Sequence, residues 1–391
     1  MMVSLASRME RLGTETAFQV MARARALEAQ GRDIIHLQIG EPDFDTPKNI
    51  VDAGAEALRS GWTHYGPANG DPELRRVIAD YIHRSRGVDY DAEQVIVTPG
   101  GKPIMFFLIL ALLEAGDEAI FPDPGFPIYQ SMIEFVGAKA VPISLREEND
   151  FRLDVDDLRG LVTERTKLLI INSPANPTGG VLSEGDLQAI AGLAIENDLI
   201  VLSDEIYSEL LYEGVHHSIA ALPGMAERTV ILDGFSKTYA MTGWRLGYGL
   251  FPRNLVEPIT TLGVNSVSCT SVAVQRAGIE ALTGPQDAVA EFREAFRRRR
   301  QLVVDRLNAI PGITCVMPKG AFYAFPNIAA TGKSSQEFAD ELLATYGVAA
   351  VPGTSFGAAG EGYIRISYAN SEANLEKALG LIEQAAGAFI G

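Results

Sequence analysis

From about residue 90 onward, apolar segments of strand length alternate with segments of helical periodicity. The strand-like segments are VIVTPG, EAIFP, KLLIIN, LIVLSDEI, TVILDGF and RLGYGLF. They do not alternate between polar and apolar residues, which is typical of strands covered on both faces. The pattern therefore predicts an α/β fold in which helices cover both faces of a mostly parallel sheet.

Polar residues follow several of these predicted strands. Gly100-Gly101-Lys102, Asn172, Asp204 and Ser236-Lys237 each come at the end of an apolar run. In open α/β sheets, ligands bind at the carboxyl ends of the strands. We therefore expect these residues to surround one site.

The alternation stops beyond about residue 285. A long helical segment is followed by AFYAFPNI, a second helical segment, VAAVPG, YIRISYA and a terminal helix. This order predicts a smaller α+β domain over residues 286–391, after a large domain over residues 48–285. Residues 1–47 include the helical segment FQVMARARALEAQG and are expected to form an N-terminal arm and part of the smaller domain.

The net charge of −17 argues against partners that are themselves anionic. Phosphate backbones and anionic membrane surfaces would be repelled, and the longest apolar run, residues 104–113, is too short to span a bilayer. The basic run RRRR at 297–300 lies in a sequence of helical periodicity and is interpreted as the exposed face of an amphipathic helix. We expect neither nucleic acid nor membrane as a partner.

The potential metal ligands are not arranged as a metal site. Cys269 and Cys315 have the spacing of neither a metal site nor a disulfide framework. His216 and His217 lack a second ligand pair and are interpreted as part of a surface turn. The N-terminal segment MMVSLASRMERLG carries charges and lacks the apolar stretch of a signal peptide. We expect no metal and a cytoplasmic location.

Lys237 is notable because it follows the apolar run TVILDGF and precedes Arg245 by eight residues. A lone lysine at a strand end usually keeps its ammonium in water. Asp204, however, also ends an apolar strand, where an unpaired carboxylate is costly to bury. The alternative interpretation is that Asp204 only caps a helix over 205–211. Lys102 follows two glycines at a predicted helix start, where an anion is favoured.

Two further segments bring polar groups to the predicted site. Asn172 and Asn176 flank prolines in INSPANPTGG, and Arg365 lies in the alternating strand YIRISYA. An inward arginine can bind a carboxylate with two hydrogen bonds, whereas an outward one forms a surface ion pair. A nucleophilic amine, an anion site, a carboxylate and a carboxylate clamp are together what pyridoxal phosphate and its substrates require.

With these motifs the chain resembles the fold-type I, class I aminotransferases, close to the bacterial aspartate aminotransferase subgroup. The resemblance covers nearly the whole chain, through GEPDF, YGPANG, GGK, NPTG, SDEIY, SKTYAMTGWRLGY and YIRISYA in this order. It implies a homodimer with shared active sites. It also implies a pyridoxal 5′-phosphate enzyme that moves the amino group of an L-amino acid to a 2-oxo acid by a ping-pong mechanism.

The resemblance also assigns roles to individual residues. Lys237 would hold the cofactor covalently and move a proton at the substrate α-carbon, and Asp204 would keep the ring nitrogen protonated. Arg365 would bind the substrate α-carboxylate, and Tyr65 would reach the phosphate of the neighbouring subunit. The other implied cofactor contacts are Gly101, Lys102, Phe126, Asn176, Tyr207, Ser236 and Arg245, and the other implied substrate contacts are Gly40, Asn176 and Lys102.

Three positions depart from the subgroup pattern. Gly234 stands where some relatives have serine, Pro103 where glutamine is common, and Phe126 where many have tryptophan. If Lys102 contacts a distal carboxylate, it favours aspartate or glutamate as the amino donor. If it only neutralises the phosphate, alanine and aromatic amino acids are equally open.

Two other functions would use the same kind of site. A pyridoxal-phosphate-dependent C–S β-lyase would release pyruvate and ammonia from a cysteine-type substrate without transferring the amine. A cofactor-binding regulatory module would retain specific DNA. It would need an appended DNA-binding domain, and the sequence has no basic helix-turn-helix before Met9.

Overall fold

The computed structural model describes residues 3–390, which contain twelve α-helices and twelve β-strands. The strands are β1 (Ile35–His36), β2 (Val95–Thr98), β3 (Glu118–Asp123), β4 (Lys139–Ser144), β5 (Thr166–Asn172), β6 (Ile200–Asp204), β7 (Thr229–Gly234), β8 (Gly247–Leu250), β9 (Tyr323–Ala324), β10 (Val348–Ala349), β11 (Val351–Pro352) and β12 (Ile364–Ser367). The helices are α1 (Thr16–Glu28), α2 (Lys48–Arg59), α3 (Pro72–Arg86), α4 (Lys102–Leu112), α5 (Ile128–Val136), α6 (Val155–Leu161), α7 (Glu184–Glu196), α8 (Arg253–Val267), α9 (Val272–Thr283), α10 (Asp287–Asn308), α11 (Ser335–Ala344) and α12 (Glu372–Ile390).

A seven-stranded sheet in the order β2-β8-β7-β6-β5-β3-β4 forms the centre of the fold. Strands β4, β3, β5, β6 and β7 run parallel, and β8 pairs antiparallel with both β7 and β2. The register places Asn172 of β5 opposite Asp204 of β6. The predicted mostly parallel α/β sheet is therefore confirmed.

Helices cover both faces of this sheet, as the apolar strands predict. Alternate residues of β5 enter different apolar clusters: Leu168 and Ile170 pack with residues of α4, whereas Leu169 and Ile171 pack with residues of α7. Side chains of successive strand residues point to opposite faces, so these two clusters lie on the two sides of the sheet. This explains why the strands are apolar at every position.

The chain forms two smaller sheets besides the central one. Strands β11, β12 and β9 form an antiparallel sheet, and β1 pairs in parallel with β10. One apolar cluster joins α10, α11 and α12 to β1, β9, β10 and β12. The β1–β10 pairing brings the N-terminal segment to the C-terminal part of the chain. The division into domains stays a prediction.

The interpretation of the basic run 297–300 as a solvated face was wrong for two of its members. Arg299 is 8% exposed and Arg300 is 4% exposed. The Arg299 guanidinium donates two hydrogen bonds to Asp43, at 2.7 and 3.0 Å, and Arg300 donates to the Pro318 carbonyl at 2.9 Å. Four consecutive helical residues cover about 300° of the helix circumference, so they cannot share one face.

The interpretation of His216 as part of a surface turn was also wrong. Its side chain is 9% exposed, and Nε2 lies 3.0 Å from a carboxylate oxygen of Glu205. Glu205 is buried beside the end of β6 and attracts the imidazole inward. Nothing in the two-histidine sequence itself indicates this distant partner.

None of the helices within residues 3–390 combines the length and the apolar composition that crossing a membrane requires.

Candidate active site

A cavity of about 490 Å³ opens at the carboxyl ends of β5, β6 and β7. It is lined by residues from both the central sheet and the smaller sheets, which are Glu15, Ala17, Phe18, Ile39, Gly40, Gly101, Lys102, Met105, Phe126, Tyr129, Asn172, Asn176, Asp204, Ile206, Tyr207, Leu232, Ser236, Lys237, Thr242, Arg245, Tyr323 and Arg365. Of the residues predicted for the site, all except Gly100 and Tyr65 are in this set. The expectation that they surround one site is met for those residues.

Asp204 ends β6 and presents its carboxylate to the cavity. Its Oδ2 accepts a hydrogen bond of 2.6 Å from the Tyr129 hydroxyl, and its Oδ1 accepts one of 3.2 Å from the Ile206 amide. Burial raises the pKa of Asp204 to about 6, although both hydrogen bonds oppose this rise. The residues after Asp204 form turns rather than a helix, so helix capping does not explain the residue. A cationic ligand group would remove the cost of burying this charge.

Lys237 lies in the turn that follows β7. Its Nζ donates a hydrogen bond to the Gly40 carbonyl and lies 5.9 Å from the centre of the Phe322 ring. Burial lowers the pKa of Lys237 to about 8, despite the nearby negative charge of Glu41. A lowered pKa increases the fraction of neutral amine near neutral pH, which a nucleophilic or proton-accepting lysine requires.

The Arg245 side chain lies beside the loop that precedes α4. Its guanidinium donates to the carbonyls of Thr242, at 2.9 Å, and Pro99, at 3.5 Å. Gly100 has φ +86°, and a Cβ there would lie 2.2 Å from Arg245 Nη2. A Cβ at Gly247 would likewise lie 2.5 Å from the Gly101 nitrogen. The glycines thus let the two loops and the guanidinium form one close cradle.

The start of α4 completes this cradle. Helix α4 has no side-chain cap at its N-terminus, where Gly101 stands. Uncapped amides at a helix start, together with the helix dipole, favour a bound anion. Ser236, which is buried, and the Arg245 guanidinium line the same cavity. This part of the site can hold a phosphate.

Arg365 on β12 forms a second cationic part of the cavity. Its guanidinium donates to Asn176 Oδ1 at 3.0 Å and to the Gln38 carbonyl at 2.6 Å, and it lies between the rings of Tyr323 and Phe356, at 4.5 and 4.8 Å. Its Nε has no hydrogen-bond partner within residues 3–390. Burial lowers the pKa of Arg365. A buried cation with uncharged acceptors is a site for a ligand carboxylate.

Two amides and two phenols connect these groups. The Asn172 amide donates to the Asp204 carbonyl at 2.9 Å, and its Oδ1 accepts from the Asn176 backbone amide at 2.8 Å. The hydroxyls of Tyr207 and Tyr323 lie 2.8 Å apart. The segment INSPANPTGG therefore holds Asn176 between the end of β5 and Arg365.

Among the cavity-lining residues that sequence reasoning missed are four with acidic or aromatic side chains: Glu15, Phe18, Tyr129 and Tyr323. Tyr129 is the second residue of α5, and Tyr323 is in a two-residue strand, so neither stands at the end of a long apolar run. The motif DPGFPIY contains Tyr129, but only the fold shows that its hydroxyl reaches Asp204. Tyr65 is 90% exposed and does not line this cavity.

The match to known families follows this geometry. The family model "Aminotransferase class I and II" matches residues 32–382. The chain belongs to this family and is an amino-acid aminotransferase. Enzymes of this class depend on pyridoxal 5′-phosphate.

Individual relatives are similar over nearly the whole chain. An aspartate aminotransferase of Pyrococcus abyssi is 46% identical over 357 residues, which cover 90% of this chain and 92% of the relative. Aromatic-amino-acid aminotransferase 2 of Thermococcus litoralis is 42% identical and covers 98% of both chains. The solved aspartate aminotransferase from Thermus thermophilus with maleate has a TM-score of 0.94 and 40% identity, over 98% of this chain and 100% of that one.

Proposed function

We propose that the chain binds pyridoxal 5′-phosphate through Lys237 and transfers the amino group of an L-amino acid to a 2-oxo acid in two half-reactions. The observation that carries the proposal is that Lys237, Asp204, Arg245 and Arg365 line one cavity. This set provides an amine, a buried carboxylate and two separate cationic positions. No single member requires the cofactor, but the set matches its functional groups.

The residues fit the cofactor group by group. The cradle of Gly101, Ser236 and Arg245 would hold the phosphate, since a Cβ at Gly100 would fill the space beside the guanidinium. Asp204 would hold the protonated ring nitrogen. Phe126 would contact the face of the ring, and Asn176 and Tyr207 would contact its phenolic oxygen, since all three residues line the cavity.

The chain's own residues perform the rest of the chemistry. When bound, the cofactor supplies an aldehyde and an electron-withdrawing ring. Arg365 binds the α-carboxylate of the substrate and so fixes the direction of the bond to the α-hydrogen. Lys237 takes the α-proton from one substrate and returns a proton to the other. Asp204 maintains a negative charge that the Tyr129 hydroxyl holds in place.

We also propose that the enzyme is a cytoplasmic homodimer. Tyr65 supports the dimer, because it is 90% exposed in the single chain and lies outside its own cavity. In a dimer with shared active sites, Tyr65 would reach the phosphate held by the partner subunit. The substrates are small-molecule amino acids and 2-oxo acids.

The cofactor proposal is tested on the purified protein and an Asp204→Asn variant. We expect a visible absorbance band that borohydride bleaches, with the added mass on the peptide that contains Lys237. Asp204→Asn should lower kcat by about 10²–10³-fold, because an oriented charge opposite the ring is lost. The control Asp198→Asn, whose side chain is 95% exposed, should keep full activity.

Two results would contradict this proposal. One is near-normal turnover in Asp204→Asn, and the other is borohydride labelling at a lysine other than Lys237. Release of pyruvate and ammonia from a cysteine-type donor, without amine transfer to an added 2-oxo acid, would favour the β-lyase instead.

A further inference from the structure

The ammonium group of Lys102 is paired with a carboxylate inside the substrate cavity. Lys102 Nζ donates a hydrogen bond to Glu15 Oε1, and both residues line the same cavity as Arg365. The Glu15 side chain is 18% exposed and the Lys102 side chain is 49% exposed. Glu15 comes from the N-terminal arm, directly before α1, so the pair joins the arm to the start of α4.

Apolar side chains form the cavity wall next to this ion pair. Lys102 Nζ lies 5.6 Å from the centre of the Phe126 ring and 6.0 Å from that of Phe18. The cavity wall continues with apolar side chains of Ala17, Ile39 and Met105. Apart from the pair itself, this part of the wall offers a substrate side chain mainly apolar contacts.

The pair changes what a negatively charged substrate side chain would encounter. A second carboxylate that reached the Lys102 ammonium would have to share it with Glu15 or displace Glu15. It would then lie close to a like charge that is mostly shielded from water, which is unfavourable. An uncharged side chain avoids this cost and gains apolar contact with the wall.

We infer that Glu15 is a specificity-determining residue, which selects L-amino acids with uncharged aromatic or aliphatic side chains over those with a side-chain carboxylate. The inference rests on the proposed function and names its donor class. The expectation of an aspartate or glutamate donor assumed that the Lys102 ammonium is free to bind a distal carboxylate. In the structure the Lys102 ammonium is already paired with the Glu15 carboxylate.

The test compares Glu15→Gln with the wild-type holoenzyme in single half-reactions. The donors are aspartate and phenylalanine, each added alone and followed by the absorbance of the bound cofactor, so that no acceptor enters the measurement. We expect wild type to prefer phenylalanine, and Glu15→Gln to raise the aspartate/phenylalanine ratio of kcat/KM by about tenfold or more. Glu10→Gln is the matched control, because Glu10 is exposed in the same arm and does not line the cavity; it should leave the ratio unchanged.

A second variant extends the test, and a binding measurement makes it independent of turnover. Lys102→Gln should lower the aspartate/phenylalanine ratio further, because it leaves the Glu15 charge unpaired. Isothermal titration calorimetry with maleate and with 3-phenylpropionate should show that Glu15→Gln tightens maleate binding about tenfold relative to 3-phenylpropionate.

The outcomes separate this inference from the proposed function. If wild type prefers aspartate, or if Glu15→Gln changes neither the ratio nor the relative maleate affinity by more than twofold, Glu15 does not set specificity, although the enzyme still transfers amines. If no donor changes the cofactor absorbance, the proposed function fails, and the calorimetry alone decides whether Glu15 excludes a second carboxylate.

Discussion

Replacing Arg86 with methionine should destabilise the protein, because this arginine joins the ends of two central strands. Arg86 ends α3, and its Nε donates to Glu205 Oε2 at 2.7 Å, next to the end of β6. Its Nη2 donates to Asp233 Oδ2 on β7 at 2.5 Å and to the Ser208 hydroxyl at 2.7 Å. The side chains of Arg86, Glu205 and Asp233 are at most 4% exposed. Methionine keeps the apolar volume but leaves both carboxylates without the guanidinium.

The expected loss follows from this burial. Removing one partner of a buried ion pair costs about 3–5 kcal/mol. An unfolding entropy of about 2.1 cal/mol/K per residue gives about 0.8 kcal/mol/K for a chain of 391 residues. The Tm of Arg86→Met should therefore be lower by about 4–6 °C. His216 remains paired with Glu205, so part of the network survives.

Asp233 makes this loss depend on pH. Burial raises the pKa of Asp233 to about 7, although Arg86 opposes the rise. Below pH 7, Asp233 is mostly protonated with or without Arg86, so the substitution leaves less unpaired charge. Above pH 7, the folded wild type releases this proton, whereas the folded variant retains it to a higher pH. The variant therefore continues to lose stability with rising pH, and the Tm difference should be larger at pH 8.5 than at pH 6.

Thermal unfolding followed by circular dichroism at pH 6 and pH 8.5 checks both statements. Arg76→Met is the matched control, since Arg76 lies on the same helix but pairs with Asp80 at the surface, with side chains 62% and 51% exposed. Exposed pairs contribute about 0–1 kcal/mol, so its Tm should change by about 1 °C at most. A Tm for Arg86→Met within about 1 °C of wild type at pH 8.5, or a loss that does not shrink at pH 6, would refute the reasoning.

Two predictions concern the cavity itself. Burial lowers the pKa of Lys237 to about 8. The rate at which the apoprotein captures the cofactor covalently should therefore rise with pH and reach half its maximum at about pH 8. Stopped-flow absorbance measures this rate, and a midpoint above about pH 9.5 would contradict the prediction. Arg365→Ala should raise KM for all amino donors alike, by roughly 30-fold or more, because the α-carboxylate is common to them. Arg306→Ala, at an exposed ion pair with Glu376, should leave KM unchanged, and a loss confined to acidic donors would show that Arg365 does not bind the α-carboxylate.

The central sheet could be predicted from the sequence because its strands are buried on both faces. A short apolar run such as LLII in KLLIIN is typical of such a strand when helical segments lie on both sides of it in sequence, and those helices favour a parallel direction. The polar residues at the strand ends then identify the edge where ligands bind. Asp204 and Lys237 could be found in this way because both belong to strand ends.

Contacts between distant segments could not be predicted in the same way. His216 is drawn inward by Glu205, and the four arginines at 297–300 divide between solvent and interior according to their direction on the helix. Glu15 meets Lys102 across 87 residues. Local periodicity indicates which face of a helix or strand is buried. It does not indicate which charged residue of a distant segment packs against that face. These partners become visible only when the fold brings the segments together.

Two buried arginines differ in whether a carboxylate of the same chain pairs with them, and this difference distinguishes a stabilising arginine from one that can bind a ligand. Arg86 meets two carboxylates of its own chain, Glu205 and Asp233, so its charge is balanced before any ligand arrives. Arg365 donates only to uncharged acceptors within residues 3–390, and one of its nitrogens has no partner there. Burying an unbalanced guanidinium is costly, and a substrate carboxylate would remove that cost when it binds. The balanced arginine should therefore govern Tm, whereas the unbalanced one should govern KM.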